Sequence, residues 1–208
     1  MSEPTMEDIK AHMPNKTLPT TGSATKDPTC KEVGALYDAA CANARNVSST
    51  RGDGQLGHFA IIAGPVRYRA ISNQNTPFVP PPQPTALPVF PGTTTAAQRE
   101  AIVRAHTAAW KEFNIYKNVE AIILQQLLDA THTNYTRSFK TPEAGYTCTA
   151  YQLMTYLKDS FGKVTDADLK ANKKEMQKPW DPSVETIQAL FTRVDDCRLF
   201  DPTITEIE

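Results

Sequence analysis

The chain has 208 residues, of which 40% are hydrophobic and 22% charged, and its formal net charge at pH 7 is −1. This length allows one or two domains with a hydrophobic core, and this charge is too small to concentrate nucleic acid or anionic lipid around the whole protein. No apolar run approaches the roughly 20 residues of a membrane span, and the N-terminus lacks the basic and then apolar order of a secretory signal. We therefore expect a cytoplasmic protein without a membrane partner.

The first 28 residues are polar and rich in Thr, Pro and Lys, and they show no apolar periodicity. This composition predicts a disordered N-terminal arm over residues 1–28. For residues 29–91 we expect an N-terminal helix, an extended segment and a proline-rich strap packed on the core. For residues 92–208 we expect a helical domain.

Apolar residues recur at helical spacing between residues 29 and 46, which predicts a short amphipathic helix there. A loop rich in Gly and Ser follows, and its Arg51–Gly52–Asp53 triplet admits either an adhesion motif or a simple turn. The next segment, HFAIIAGPVRYRAIS (residues 58–72), is dense in Phe, Ile, Val and Tyr. It predicts a buried strand or a short hairpin, interrupted at Gly64–Pro65.

Residues 77–91 read PFVPPPQPTALPVFP and contain seven prolines. Proline excludes a helix and favours polyproline II at about 3.1 Å per residue. The large apolar side chains between the prolines would each stabilise the fold by roughly 1.5–3 kcal/mol if buried. We therefore predict that this proline-rich strap lies on the core, with anchors at Phe78, Val79, Leu87, Val89 and Phe90. The alternative is a docking peptide for an aromatic-lined groove of another protein.

Beyond residue 91 the sequence is helical in pattern nearly to its end. Thr95 and Gln98 have the spacing of a capping box before a long apolar stripe, whose FNIYKN centre predicts either a kink or a break. A second capping box, at Thr149 and Gln152, opens another helix, and Thr165 opens a more polar one. Asp181–Pro182 predicts the start of a last helix, with an apolar stripe on one side: Val184, Ile187, Leu190, Phe191 and Val194. The predicted fold class is mainly α, a multi-helix bundle with a short extended segment.

The sequence contains no recognisable catalytic motif, and the four histidines have no Cys or carboxylate at metal-ligand spacing. We therefore predict no catalytic, cofactor-binding or metal-binding residues and no small-molecule substrate. The four cysteines are far apart in the sequence and are expected to be buried reduced thiols.

The one basic run, KANKKEMQK (residues 170–178), and the tryptophan that follows it are the best candidates for an interaction surface. We predict a self-association or RNA-contact face formed by Lys170, Lys173, Lys174, Lys178 and Trp180. The alternatives are an ordinary solvated helix face and a tryptophan that fills the corner between two helices.

Four stretches in fixed order carry a resemblance that covers about residue 29 to the C-terminus. They are CANARNVSSTRGDGQLGHFAII, PFVPPPQPTALPVFP, AAQREAIVRAHTAAWKEFNIYKNVEAIILQQLLDA and GYTCTAYQLMTYLKDSFGKVTDADLKANKKEMQKPWDPSVETIQALFTRVDDCRLF. Their most specific elements are the Leu-Gly-His loop, the Pro-Phe-Val-Pro-Pro strap and the Trp-Asp-Pro corner. In this order the chain resembles the Gag-like proteins of copia-type retrotransposons of diatoms and other protists.

The resemblance implies a capsid-like helical fold and a structural protein, not an enzyme. It implies self-association into virus-like particles that enclose the RNA of the element. The four cysteines form no zinc knuckle, and the sequence stops at DPTITEIE. We therefore expect the N-terminal portion of a Gag, or a degenerate or domesticated copy, with weak RNA binding through a segment outside this chain.

The competing hypothesis is a monomeric helical adaptor that binds a host protein through its strap or through a groove between helices. Burial of the strap anchors separates the two hypotheses, because a buried strap is architectural and an exposed strap favours the adaptor. An enzyme is the third class and would require a pocket of converging polar residues.

Overall fold

The computed structural model describes residues 4–72 and 76–200, and within them the fold is mainly helical, as predicted. The only sheet among these residues is one short antiparallel pair in which Lys140 faces Tyr146. The elements are α1 (Met6–Ala11), α2 (Cys30–Asn46), α3 (Ala60–Ile71), α4 (Ala96–Ala130), α5 (Thr133–Thr136), β1 (Lys140–Thr141), β2 (Gly145–Tyr146), α6 (Ala150–Phe161), α7 (Asp166–Met176) and α8 (Ile187–Phe200).

The chain divides into two compact units, Met1–Phe161 and Gly162–Glu208, which we call the N-terminal and C-terminal units. The domain boundary predicted at residue 92 is therefore wrong. It fails because α4, which follows that boundary, packs against α1, α2 and α6 of the same unit. Residues 1–3 of the predicted arm and 201–208 of the predicted helical domain lie outside the described residues.

The core of the N-terminal unit lies where α2, α3, α6 and the second half of α4 meet. Its fully buried side chains are large and aliphatic, for example Leu36, Ile123, Leu127, Leu153 and Leu157, each 0% exposed. A core of this kind supplies the main stabilising term of a small domain, because stability scales with the apolar area removed from water.

The prediction of a disordered arm is wrong for residues 4–28. The side chain of Thr5 caps α1 in a capping box with Asp8, and Ile9, Met13 and Leu18 are buried in the core of the unit. Of these three residues, only Ile9 and Met13 are at helical spacing, and one such pair is too short a pattern to predict a buried helix.

Backbone pairing further along the same segment fixes it to α4. The Thr21 N–H donates to the carbonyl of Ala130 at 2.8 Å, and the His132 N–H donates to the carbonyl of Thr21 at 3.2 Å. The side chain of Asn43 on α2 donates to the carbonyl of Asn15 at 2.8 Å and to Gln126 at 2.9 Å. Residues 4–28 are therefore part of the fold.

The strand predicted at residues 58–72 is helix α3 instead. Gly64 has φ 78° and ψ 162°, which breaks the helix and lets Pro65 begin the next turn, where its missing N–H costs nothing. A side chain at residue 64 would also clash with Tyr151, because a Cβ there would lie 2.7 Å from the Tyr151 ring. Burial of apolar side chains such as Ile62 and Tyr68 favours the helix over the β-propensity of this segment.

Helix α4 runs unbroken through the FNIYKN segment for 35 residues, about 52 Å at 1.5 Å per residue. Its second half buries Val119, Ile122, Ile123 and Leu127, whereas the side chains before Trp110 are mostly exposed. Of the helices that the structure describes, none combines the length and the apolarity that a membrane crossing requires.

The C-terminal unit is a pair of helices, α7 and α8, that pack on each other. The Thr165 capping box opens α7 as predicted. Helix α8 starts at Ile187, five residues after the predicted start at Pro182, because the Asp181 carboxylate accepts from the N–H of Ser183 at 2.9 Å and from its hydroxyl at 2.6 Å. These bonds close a turn in place of the first helical turn.

Candidate functional site

The first part of the proline-rich strap is anchored in the core. Phe78 is 2% exposed, and its ring centroid lies 5.3 Å from that of Tyr68, 6.2 Å from that of His58 and 6.3 Å from that of Tyr116. The prediction that Phe78 is a strap anchor is confirmed.

Beyond Phe78, Pro81 is the only other buried residue of the strap, so the predicted anchors Val79, Leu87 and Val89 are wrong. Their exposures are 56%, 41% and 95%. Phe90 is half-buried, with the Arg99 guanidinium 6.0 Å from its ring centroid. The second part of the strap runs beside the first half of α4 (residues 96–113). There the ring of His106 forms a hydrogen bond with the carbonyl of Thr85 at 2.8 Å. A single helix surface has no cavity that would take up the apolar side chains.

The first half of α4 also has an apolar surface. Ile102 and Val103 are 38% and 41% exposed. Beside them, the half-buried side chains of His106, Trp110 and Phe113 form an edge-to-face stack, with centroids 6.4 and 5.9 Å apart. This α4 apolar face is large and half solvated, which is typical of interaction surfaces.

The Arg51–Gly52–Asp53 loop is tied to α4, which supports the turn interpretation over the adhesion motif. Both Arg51 Nε and Nη2 donate to the Glu112 carboxylate, at 2.8 and 2.7 Å, and the Thr50 hydroxyl donates to the same group. These bonds, led by Arg51, hold the pKa of Glu112 below its ordinary value. Gly52 is buried at φ 58°, and a Cβ there would lie 2.4 Å from the Tyr68 ring.

Next to this ion pair, a groove of about 670 Å³ runs between residues 48–50 and an alanine-rich side of α4. His58 lies at its base and is 2% exposed. Burial lowers the pKa of His58 to about 4, and the backbone of Ser48 and the Glu112 charge offset this only in part. The imidazole is therefore neutral at pH 7 and packs as a core side chain between Phe78 and Tyr116.

Cysteine chemistry is suppressed by burial. None of the four cysteines forms a disulfide, and three of them are buried as predicted, whereas Cys30 is half-buried. Burial raises the pKa of Cys41 to about 11 and raises the pKa of Cys148, so both stay protonated and unreactive. Across residues 4–72 and 76–200, no group of three His, Cys, Asp or Glu side chains could hold a metal ion.

In the C-terminal unit, the corner between α7 and α8 is held by Arg193. Its guanidinium donates to both carboxylate oxygens of Glu185, at 2.9 and 3.0 Å, and to the carbonyls of Glu175 and Lys178, at 2.5 and 3.2 Å. The Trp180 indole N–H donates to the carbonyl of Glu185 at 3.0 Å. Trp180 therefore helps to fix the corner, yet 45% of it stays exposed.

The predicted basic residues lie on the surface of this unit. Lys170, Lys173 and Lys174 are exposed and share one side of α7, and exposed Lys178 follows in the turn before Trp180. Among the residues described here, none of the four lysines forms an ion pair. We call these five residues the lysine face. Its function stays a prediction.

The apolar stripe predicted on one side of α8 lies largely on the surface. Ile187 and Phe191, one turn apart on α8, are 51% and 57% exposed, and Val184 is 81% exposed. We call these three residues the C-terminal apolar face. The stripe is not buried, because α7 is a thin and polar partner whose buried side chains are only Asn172 and Met176. Leu190 and Val194 of the stripe are half-buried.

No family model matches the chain, and no curated protein or solved structure matches it either.

Proposed function

We propose that the chain is a Gag-like structural protein of a copia-type retrotransposon, which self-associates into particles that enclose the RNA of the element. The observation that supports this most is the C-terminal apolar face. An exposed Val184, Ile187 and Phe191 in so small a unit would gain stability from a second copy that covers them.

The size of the C-terminal unit strengthens the argument. Of its described residues, only Asn172, Met176 and Cys197 are buried, and the amide of Asn172 donates to the carbonyl of Cys197 at 2.9 Å. Helical units of about 40 residues usually need oligomerisation or another external support to be stable. Association of copies would supply that support.

A particle requires at least two contact surfaces on each copy, since one self-complementary surface alone gives only a dimer. The α4 apolar face is our candidate for the second surface. Each contact can be weak, because many contacts act together in a closed shell. The lysine face adds a third feature, a place for phosphates of RNA, whose binding would weaken steeply with salt.

The test of this proposal replaces apolar side chains of the C-terminal apolar face. We expect the double variant Ile187→Ser, Phe191→Ser to reduce the self-association constant at least tenfold, measured by sedimentation velocity. The control is Val66→Ser, which removes a valine that is 84% exposed on α3 and should leave association unchanged. Equal association of the double variant and the unaltered protein would contradict the proposal.

The strap gives a second candidate function, the monomeric adaptor. The exposure of Leu87 and Val89 leaves the second part of the strap accessible to an aromatic-lined groove of a host protein. In that case the protein stays monomeric, and a synthetic peptide of residues 77–91 binds purified domains that recognise polyproline II. The variant Leu87→Ser, Val89→Ser should then weaken that binding, whereas Val66→Ser should not alter it.

A further inference from the structure

A cavity of about 500 Å³ opens between α2 and α3 in the N-terminal unit, and none of its lining residues belongs to a surface used in the proposed function. Two arginines from different helices line it, Arg45 of α2 and Arg67 of α3, together with the side chains of Tyr37 and Asn46. Asp38 is the one carboxylate among its lining residues, all of which the structure describes.

Two cations near this cavity, Arg45 and Lys158, lie over aromatic rings. The guanidinium carbon of Arg45 lies 4.2 Å from the ring centroid of Phe59. On α6, the ammonium of Lys158 lies 4.0 Å from the ring centroid of Tyr37. Among the described residues, neither of these cations nor Arg67 has an ion pair within 4.0 Å. Their charges are therefore available to an external anion.

The charges of all three cations act on Tyr37 and Cys41, which line the cavity. Burial raises the pKa of Tyr37 to about 12, and the charge of Arg67 opposes this rise. Burial likewise raises the pKa of Cys41 to about 11, against the charges of Arg45 and Lys158. Tyr37 and Cys41 stay neutral at pH 7, so they do not neutralise the cations.

We infer that this cavity binds the phosphate group of a phosphate monoester. The lining residues include two arginines and one carboxylate, and Lys158 adds a third cation next to the lining residue Tyr37. Their summed charge of about +2 matches a monoester of charge −1.5 to −2 at pH 7 better than a diester of charge about −1. Guanidinium groups also match the geometry of phosphate oxygens with two parallel hydrogen bonds. The amide nitrogen of Asn46 donates to the carbonyl of Ala42 at 2.9 Å, and its second N–H adds one further donor.

This inference does not depend on self-association, because the cavity shares no lining residue with the surfaces proposed for association. It predicts that glycerol 3-phosphate and inorganic phosphate bind, and that dimethyl phosphate binds at least tenfold more weakly at equal ionic strength. An RNA oligonucleotide with a 5′ monophosphate, compared with the same RNA bearing a 5′ hydroxyl, distinguishes a terminal RNA phosphate from a small phosphorylated molecule.

The decisive variants are measured by isothermal titration calorimetry with glycerol 3-phosphate on the full chain. We expect Arg45→Gln with Arg67→Gln to weaken binding at least tenfold. The control Arg104→Gln with Arg137→Gln makes the same change of net charge at two other exposed arginines that do not line the cavity and should alter binding less than twofold.

Asp38→Asn should strengthen binding about two- to fivefold, since it removes the one opposing carboxylate. This variant keeps the test valid if the arginine variants unfold, which thermal melts would reveal. Equal affinity for the monoester and the diester, or an Asp38→Asn variant that binds no more tightly, would overturn the inference.

Discussion

The two units of this protein are built from the same local signals and differ in what covers their helices. Capping boxes open α2 and α4 in the N-terminal unit and α7 in the C-terminal unit. In the N-terminal unit the apolar stripes of several helices meet and are buried, whereas in the C-terminal unit Ile187 and Phe191 stay half exposed. A helical pattern in the sequence therefore predicts that a segment is helical. It does not predict that the apolar side of the helix packs against another part of the same chain.

The strap shows the same contrast within 15 residues and gives the largest expected effect. Phe78 packs among three aromatic rings and Val89 is 95% exposed. We expect Phe78→Ala to lower the free energy of unfolding by about 3–5 kcal/mol and Val89→Ala by less than about 0.5 kcal/mol. Urea unfolding followed by circular dichroism measures both. Similar costs for the two variants would refute the division of the strap.

A pair of leucines tests the comparison of the units directly. Leu153 on α6 is 0% exposed, and Leu199 on α8 is 82% exposed. Leu153→Ala should cost about 2–5 kcal/mol of unfolding free energy, because it removes buried methyl groups and leaves a cavity. Leu199→Ala should change it by less than about 0.5 kcal/mol. A large loss in Leu199→Ala at low protein concentration would mean that α8 is covered within one chain.

Acid should destabilise the N-terminal unit through His58. Its pKa in the folded protein is about 4, below the ordinary value of about 6.5 in the unfolded chain. The unfolded chain therefore takes up a proton first as the pH falls. The contribution of neutral, buried His58 to the free energy of unfolding is complete above pH 6.5. It is lost between pH 6.5 and 4, by about 3 kcal/mol in total.

The matched variant for this prediction is His58→Leu, whose side chain does not titrate. Unfolding experiments between pH 7 and 4 should show the His58 contribution to the pH dependence in the unaltered protein and its loss in the variant. An identical pH dependence in both proteins would show that His58 titrates normally and is not buried.

Local signals in the sequence predicted much of the secondary structure. The capping boxes at Thr95 and Thr149 form as predicted, with side-chain to backbone bonds three residues apart. Such bonds depend on neighbours in the sequence and not on the rest of the fold. The α2 helix was also predicted, because its apolar stripe is regular and its buried face matches that stripe.

Features that depend on distant residues were missed. Nothing near Ile9 or Met13 indicates that α4 will cover them, and the β-branched residues before Gly64 favour a strand until tertiary packing makes them a helix. The cavity between α2 and α3 was missed for the same reason, since Arg45 and Arg67 are 22 positions apart and meet only in the fold. The lysine face was visible because its residues are close in sequence.

The central claim is that copies of this chain cover the exposed apolar faces of one another. Multi-angle light scattering on the unaltered protein across a hundredfold range of concentration, at low salt and at about 1 M salt, tests it most directly. We predict a mass that rises with concentration above the 23.0 kDa of one chain, and that still rises at high salt, because apolar contacts are not screened. A mass that stays at 23.0 kDa at every concentration and salt would contradict the claim.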